Sequence, residues 1–139
     1  MIGIVVVAHF GLGEKFVEAA TAIVGKTPKN IIAVGIDDNE EVLSINEDIM
    51  NAIKQVSSPD GVLILTDMFG GTPCNMSMPF LNEGHLEVLT GLNLPMLIEA
   101  LDGRSEGKTI AEFAQHLQSI GQKNICLASD ILSKKPSDG

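Results

Sequence analysis

Four short apolar runs, separated by stretches of helical periodicity, constrain the fold of this chain more than any other feature. They are residues 2–8 (IGIVVVA), Ile31–Ile36 (IIAVGI), residues 62–65 (VLIL) and the weaker Leu86–Thr90 (LEVLT). The first three are near-continuous rather than alternating, which suits strands buried on both faces. Between the first two, residues 14–24 read as a helix with Phe16, Ala19, Ala20 and Ile23 on one face. Val42, Ile45, Ile49, Ala52, Ile53 and Val56 keep helical spacing for four turns. After Pro73 another helix is expected, shortened by Pro79, and residues 95–101 read as a short one. Thr109-Ile110-Ala111-Glu112 has capping-box spacing and opens a helix with Ile110, Phe113, Leu117 and Ile120 inward and Gly121 as its cap. Strands alternating with helices predict an α/β fold, an open parallel sheet of four strands in the order 2-1-3-4, flanked by helices.

In such a sheet the ligand crevice lies where neighbouring strands send their helices to opposite faces, here between strands 1 and 3. His9 ends the first strand and Asp67 follows the third, so the topology brings the two together. A lone histidine at a strand end is more often satisfied by a loop carbonyl; a carboxylate at the facing strand end changes that balance toward chemistry. Beyond Asp67 the chain turns through Gly70-Gly71-Thr72-Pro73. A glycine pair lets backbone N–H groups converge, which makes a cradle for an anion. No basic residue lies in residues 61–75, so a phosphoryl group here would be held by backbone dipoles of Gly70 and Gly71 and the Thr72 hydroxyl.

Other chemistries fit poorly. His85 sits in a polar turn and His116 flanks the apolar face of the last helix, both in structural or solvated settings. Three scattered histidines give no zinc spacing, and no metal or cofactor is expected. Gly11-x-Gly13 would need a third glycine where Phe16 stands, so the dinucleotide fingerprint is incomplete. Gly25-Lys26-Thr27 and Gly107-Lys108-Thr109 end like phosphate-binding loops, but Ala20 and Asp102 occupy the first-glycine positions. The end of strand 1 lacks a receiver's acidic cluster, and no GxSxG elbow is present. Cys74 is expected to pack beneath the loop.

Composition narrows the setting. At 139 residues, a single domain over residues 1–130 is expected, with a polar tail over residues 131–139. A formal charge of −9 argues against nucleic acid and anionic membrane as partners and suits a basic protein. There is no Trp or Tyr to stack flavins or bases. No apolar run approaches a membrane span, the N-terminus reads as a strand rather than a leader, and two isolated cysteines suit a reduced cytoplasm.

What remains is histidine and aspartate without serine or metal. A neutral imidazole is a good nucleophile near neutral pH. A carboxylate on one ring nitrogen fixes the tautomer, leaves the other lone pair outward, and steadies the charge the ring gains on attacking phosphorus. That chemistry is a phosphohistidine carrier. The strand ending in His9, the run Asp67-Met68-Phe69-Gly70-Gly71-Thr72-Pro73-Cys74-Asn75, and Gly91-Leu92-Asn93-Leu94-Pro95-Met96-Leu97 resemble the IIA component of the mannose family of the bacterial sugar phosphotransferase system. The resemblance covers nearly the whole chain. It implies that His9 accepts a phosphoryl group on Nε2 from the histidine phosphocarrier protein. It implies that the group passes to a IIB component and indirectly serves membrane IIC and IID components. Asp67 would bond Nδ1, with Thr72 and the loop amides near the phosphate. Three positions depart from the family: Phe10 where glycine is common, Cys74 where an aromatic is common, and Pro79 within the following helix. A stand-alone regulatory module, whose phosphorylation state selects its protein partner, shares the same chemistry. A flavodoxin-like small-ligand binder without phosphoryl transfer is the third reading.

Residues 125–128 form one more apolar run, read as a fifth short strand. Residues 121–124 are too few for a parallel crossover, so antiparallel pairing is expected, on its own sheet or that of a second subunit. The resemblance favours the second, a homodimer in which this strand is exchanged.

Overall fold

The computed structural model describes residues 1–37, 39–104 and 107–133. Strands β1 (Gly3–His9), β2 (Ile31–Ile36), β3 (Val62–Thr66) and β4 (Leu86–Thr90) form one parallel sheet in the order β2-β1-β3-β4. Helix α1 (Leu12–Val24) follows β1, and α2 (Val42–Val56) joins β2 to β3. After β3 come α3 (Thr72–Ser77) and a 3₁₀ stretch, Met78–Glu83. Helices α4 (Leu94–Gly103), α5 (Ile110–Lys123) and α6 (Ala128–Ser133) complete the chain. Both the four-strand order and the alternation match the expectation. Position 38 in the acidic loop after β2, positions 105–106 in the connector before α5, and positions 134–139 of the polar tail lie outside the described residues.

Burial on both faces explains the unbroken apolar strands. Successive side chains of β1 and β3 alternate between two cores. Ile4, Val6, Leu63 and Leu65 pack with Ala20 of α1, Leu97 of α4, and Phe113 and Leu117 of α5. Val5, Val7, Val62 and Ile64 pack with Ile45, Ile49, Ala52 and Val56 of α2 and with Phe80. Both sides of Pro79 behave as expected: α3 ends at Ser77 and the chain tightens into the 3₁₀ stretch. The capping box is complete, with Glu112 N–H donating to Thr109 Oγ1 at 3.2 Å and Thr109 N–H donating to Glu112 Oε1 at 3.0 Å.

Four details differ from the sequence reading. In α1 the inward stripe is Gly13, Phe16, Val17 and Ala20, while Ala19 and Ile23 are exposed. The helix starts at Leu12, and a stripe drawn from Gly13 at helical spacing turns Ile23 outward. Gly121 does not cap α5 but lies buried inside it. A Cβ there would stand 2.6 Å from Met96 Cε, and Gly121 O accepts from Asn93 Nδ2 at 3.0 Å, so the glycine serves close packing against α4. The third difference is residues 125–128. Within the single chain they form no strand, and Ala128 opens α6. Leu127 O accepts from the N–H groups of Asp130 and Ile131, local bonds that need no partner edge.

The fourth is Arg104, whose burial nothing in the sequence reading anticipated. Its side chain is buried, and Nη1 donates to Ile2 O at 3.2 Å and Asn30 O at 3.0 Å, while Nη2 donates to Lys29 O. Burial lowers the guanidinium pKa from its ordinary value, though arginine starts so high that it stays charged.

Candidate functional site

The site forms where β1 and β3 end side by side. Val7 pairs with Thr66 in the register, so the next residues of both strands emerge together at the same edge of the sheet. There α1 leaves toward one core and α3 toward the other, which opens the crevice. Oδ2 of Asp67 accepts twice from His9: from the backbone N–H at 3.0 Å and from ring Nδ1 at 2.8 Å. Oδ1 accepts from Met68 N–H at 3.1 Å. The carboxylate is 8% exposed and the imidazole 30% exposed, so the acid is shielded while the ring reaches solvent.

This arrangement sets the tautomer. A carboxylate only accepts, so Nδ1 carries the ring proton and Nε2 keeps its lone pair. The Nε2 edge of the ring faces Gly71. A Cβ on Gly71 would stand 3.3 Å from Nε2 and 2.8 Å from Cε1, so any side chain there would strike the ring. Gly70 has φ +86°, open to glycine at no steric cost. Thr72 is exposed at the first position of α3, and its hydroxyl makes no hydrogen bond among the described residues. Thus His9, Asp67 and Gly71 are in contact, Gly70 shapes the turn, and Thr72 lies beside it in the chain.

Two further features shape the site, the first at a position already marked as departing from the family and the second unforeseen. Phe10 adopts φ +52° directly after His9, while its N–H donates to Ile36 O at 3.0 Å. Its carbonyl occupies space 2.3 Å from where a Cβ on Gly35 would be, so Gly35 lets this turn lie against β2. Asn75 is the second: its side-chain Nδ2 donates to Gly70 O at 3.2 Å. An asparagine one helical turn beyond a glycine pair was the available signal. Phe10, Leu12, Met68 and Phe69, on the segments that follow β1 and β3, are exposed.

The remaining candidates fall where expected. Cys74 is fully buried, His85 is exposed, and His116 meets Glu99 at 3.2 Å between α5 and α4. Among the described residues no cluster of His, Cys, Asp and Glu suits a metal, and no helix is long and apolar enough to cross a membrane.

Comparison with known proteins gives this geometry its context. A family model named EIIA-man, described as PTS system fructose IIA component, matches residues 3–118. The fructose-specific EIIA component of Bacillus subtilis (strain 168) is 30% identical over 135 residues, covering 96% of this chain and 91% of that protein. The sorbose-specific EIIA component of Lacticaseibacillus casei is 30% identical over 121 residues, covering 86% of each. Among solved structures, the mannose/sorbose-specific IIA subunit from Enterococcus faecalis superposes with a TM-score of 0.81 at 26% identity, covering 91% of this chain and 93% of that one. The chain belongs to the mannose family of IIA components of the sugar phosphotransferase system.

Proposed function

We propose that this IIA component carries its phosphoryl group on Nε2 of His9, taking it from the histidine phosphocarrier protein and giving it to a IIB component. The observation that carries this reading is the pair of bonds from Asp67 Oδ2 to His9, which hold Nδ1 protonated and leave Nε2 facing Gly71. In the first step the Nε2 lone pair attacks phosphorus as the donor's P–N bond breaks, and the electron pair of that bond returns to the donor. The ring becomes cationic, and Asp67 stabilises it across Nδ1–H. In the second step a nucleophile of the IIB component attacks the same phosphorus, and the Nε2–P bond breaks to restore the neutral ring. Backbone amides of Gly70 and Gly71, with the Thr72 hydroxyl, stabilise the phosphoryl oxygens. Residues 1–130 act as one phosphotransferase unit in the cytoplasm, and the membrane IIC and IID components are reached through IIB.

Pairing of two copies completes this reading. Beside the outer edge of β4 lies a groove of about 590 Å³, with Phe69, Val88, Met96, Gln118 and Gly121 in its wall. Ile125, Leu127, Ile131 and Leu132 leave apolar side chains exposed on the segment after α5. A homodimer in which this segment of one copy covers the β4 edge of the other would bury both. Light scattering should then show dimers of the full chain and monomers or aggregates after truncation beyond Asn124; a monomeric full chain at micromolar concentration refutes the pairing.

The decisive experiment for the carrier is incubation with labelled phosphoenolpyruvate, the first enzyme of the system and the phosphocarrier. Acid-labile phosphate should appear on the wild type and vanish in His9→Ala. Undiminished labelling of that variant, with phosphate on His85 or His116, would overturn the assignment.

A further inference from the structure

We propose that Asn75 is a positioning residue for phosphoryl transfer, holding the Gly70–Gly71 turn in the conformation that sets its backbone against the reacting edge of His9. This rests on the phosphohistidine reading above. The Asn75 side chain donates from Nδ2 to Gly70 O at 3.2 Å, while its backbone N–H makes the first helical bond of α3, to Gly71 O at 2.9 Å, which any residue at this position would keep. No other side chain hydrogen-bonds residues 69–71 among those described. Packing offers little restraint, since Met68 and Phe69 are exposed and a Cβ on Gly70 would meet nothing within 4 Å. A glycine pair left to itself samples many backbone states, and Gly70 sits in only one of them, at φ +86°. Gly71 is the residue on which a Cβ would stand 2.8 Å from Cε1 and 3.3 Å from Nε2, so the turn passes beside the reacting edge of the ring. Rotation of the 70–71 peptide would therefore reorient the groups nearest the nucleophile.

The amide of Asn75 suits this task because it brings a donor to a carbonyl without adding charge beside an incoming anion. It also stands apart from the ring's own partner: every bond that fixes the His9 tautomer runs to Asp67. Asn75 should thus govern the rate of transfer without altering the ring's titration, a separation that neither a folding role nor a role in nucleophile basicity would produce.

The test uses the full chain as wild type, Asn75→Ala and the near-isosteric, uncharged Asn75→Leu, phosphorylated through the phosphocarrier. For both variants kcat should fall about tenfold, with KM for the phosphocarrier unchanged. The His9 ring titration by NMR and the thermal midpoint should stay at wild-type values. Hydrogen exchange at the backbone amide of residue 75, which donates to Gly71 O, should quicken. Labelled wild type with variants equally fast would overturn this proposal alone, as would a rate loss that tracks lost folded protein or a shifted His9 titration. A wild type that accepts no phosphate would overturn the phosphohistidine reading and this proposal with it.

Discussion

Oδ2 of Asp67 binds the ring and the backbone of His9 together, so the carboxylate is both an orienting and an electrostatic group. Asp67→Asn keeps the shape and an acceptor oxygen but removes the charge that offsets a cationic ring. Transfer should slow on the order of a hundredfold with folding retained, and stopped-flow phosphorylation at unchanged circular dichroism reads this directly. Thr72→Ala should cost less, because backbone amides remain. Next to His9, Phe10 sets two opposed terms against each other. Its left-handed backbone costs about 1–2 kcal/mol, and the half of its ring that is buried returns about 1–1.5 kcal/mol. Phe10→Gly should therefore change stability by less than about 1 kcal/mol in urea unfolding. A loss well beyond that would mean the ring anchors the turn.

At the scale of elements, α5 separates two explanations of one glycine. A cap in the left-handed region penalises every side chain, whereas Gly121 inside a helix is limited by space alone. Gly121→Ala must push aside only the mobile end of Met96 and gains about 1 kcal/mol of helix propensity, so it should be close to neutral. Gly121→Val adds branching against α4 and should cost about 2–3 kcal/mol by chemical denaturation; equal costs for both would restore the cap. The central strands β1 and β3 were legible because burial on both faces leaves an unbroken apolar run, whereas the edge strand β4, broken by Glu87, gave a weaker signal. So was the meeting of His9 with Asp67, because parallel topology places strand ends in register. The end of α5 was not, since a glycine reads identically as a stop and as a close approach. The run at 125–128 was apolar enough for a strand, but pattern alone does not say whether an edge is within reach. Asn75 was overlooked because its partners are backbone carbonyls, which leave no trace in side-chain identity.

At the scale of the whole molecule, Arg104 gathers carbonyls from the start of β1 and from the turn before β2. Nothing in a polar stretch after α4 marks it as buried. Replacing a buried charge by an apolar group can be harmless when its partner is removed too, but here three guanidinium bonds would be lost together, with Asn30 O keeping a second donor in the Ile4 N–H. Arg104→Met should cost about 2–4 kcal/mol in equilibrium unfolding, with phosphoryl transfer at wild-type rate below the midpoint. A change under about 1 kcal/mol would show that water replaces the guanidinium.

Arg104 ties the sheet at the end where its strands begin, and His9, the proposed carrier, stands at the end where they finish, roughly 20 Å away along β1. Robustness and reactivity therefore draw on different residues. Substitutions can accumulate around the anchor to adapt the protein to heat or solvent while the turnover of the opposite rim is left alone, and the rim can be reshaped for a new partner without loosening the foundation.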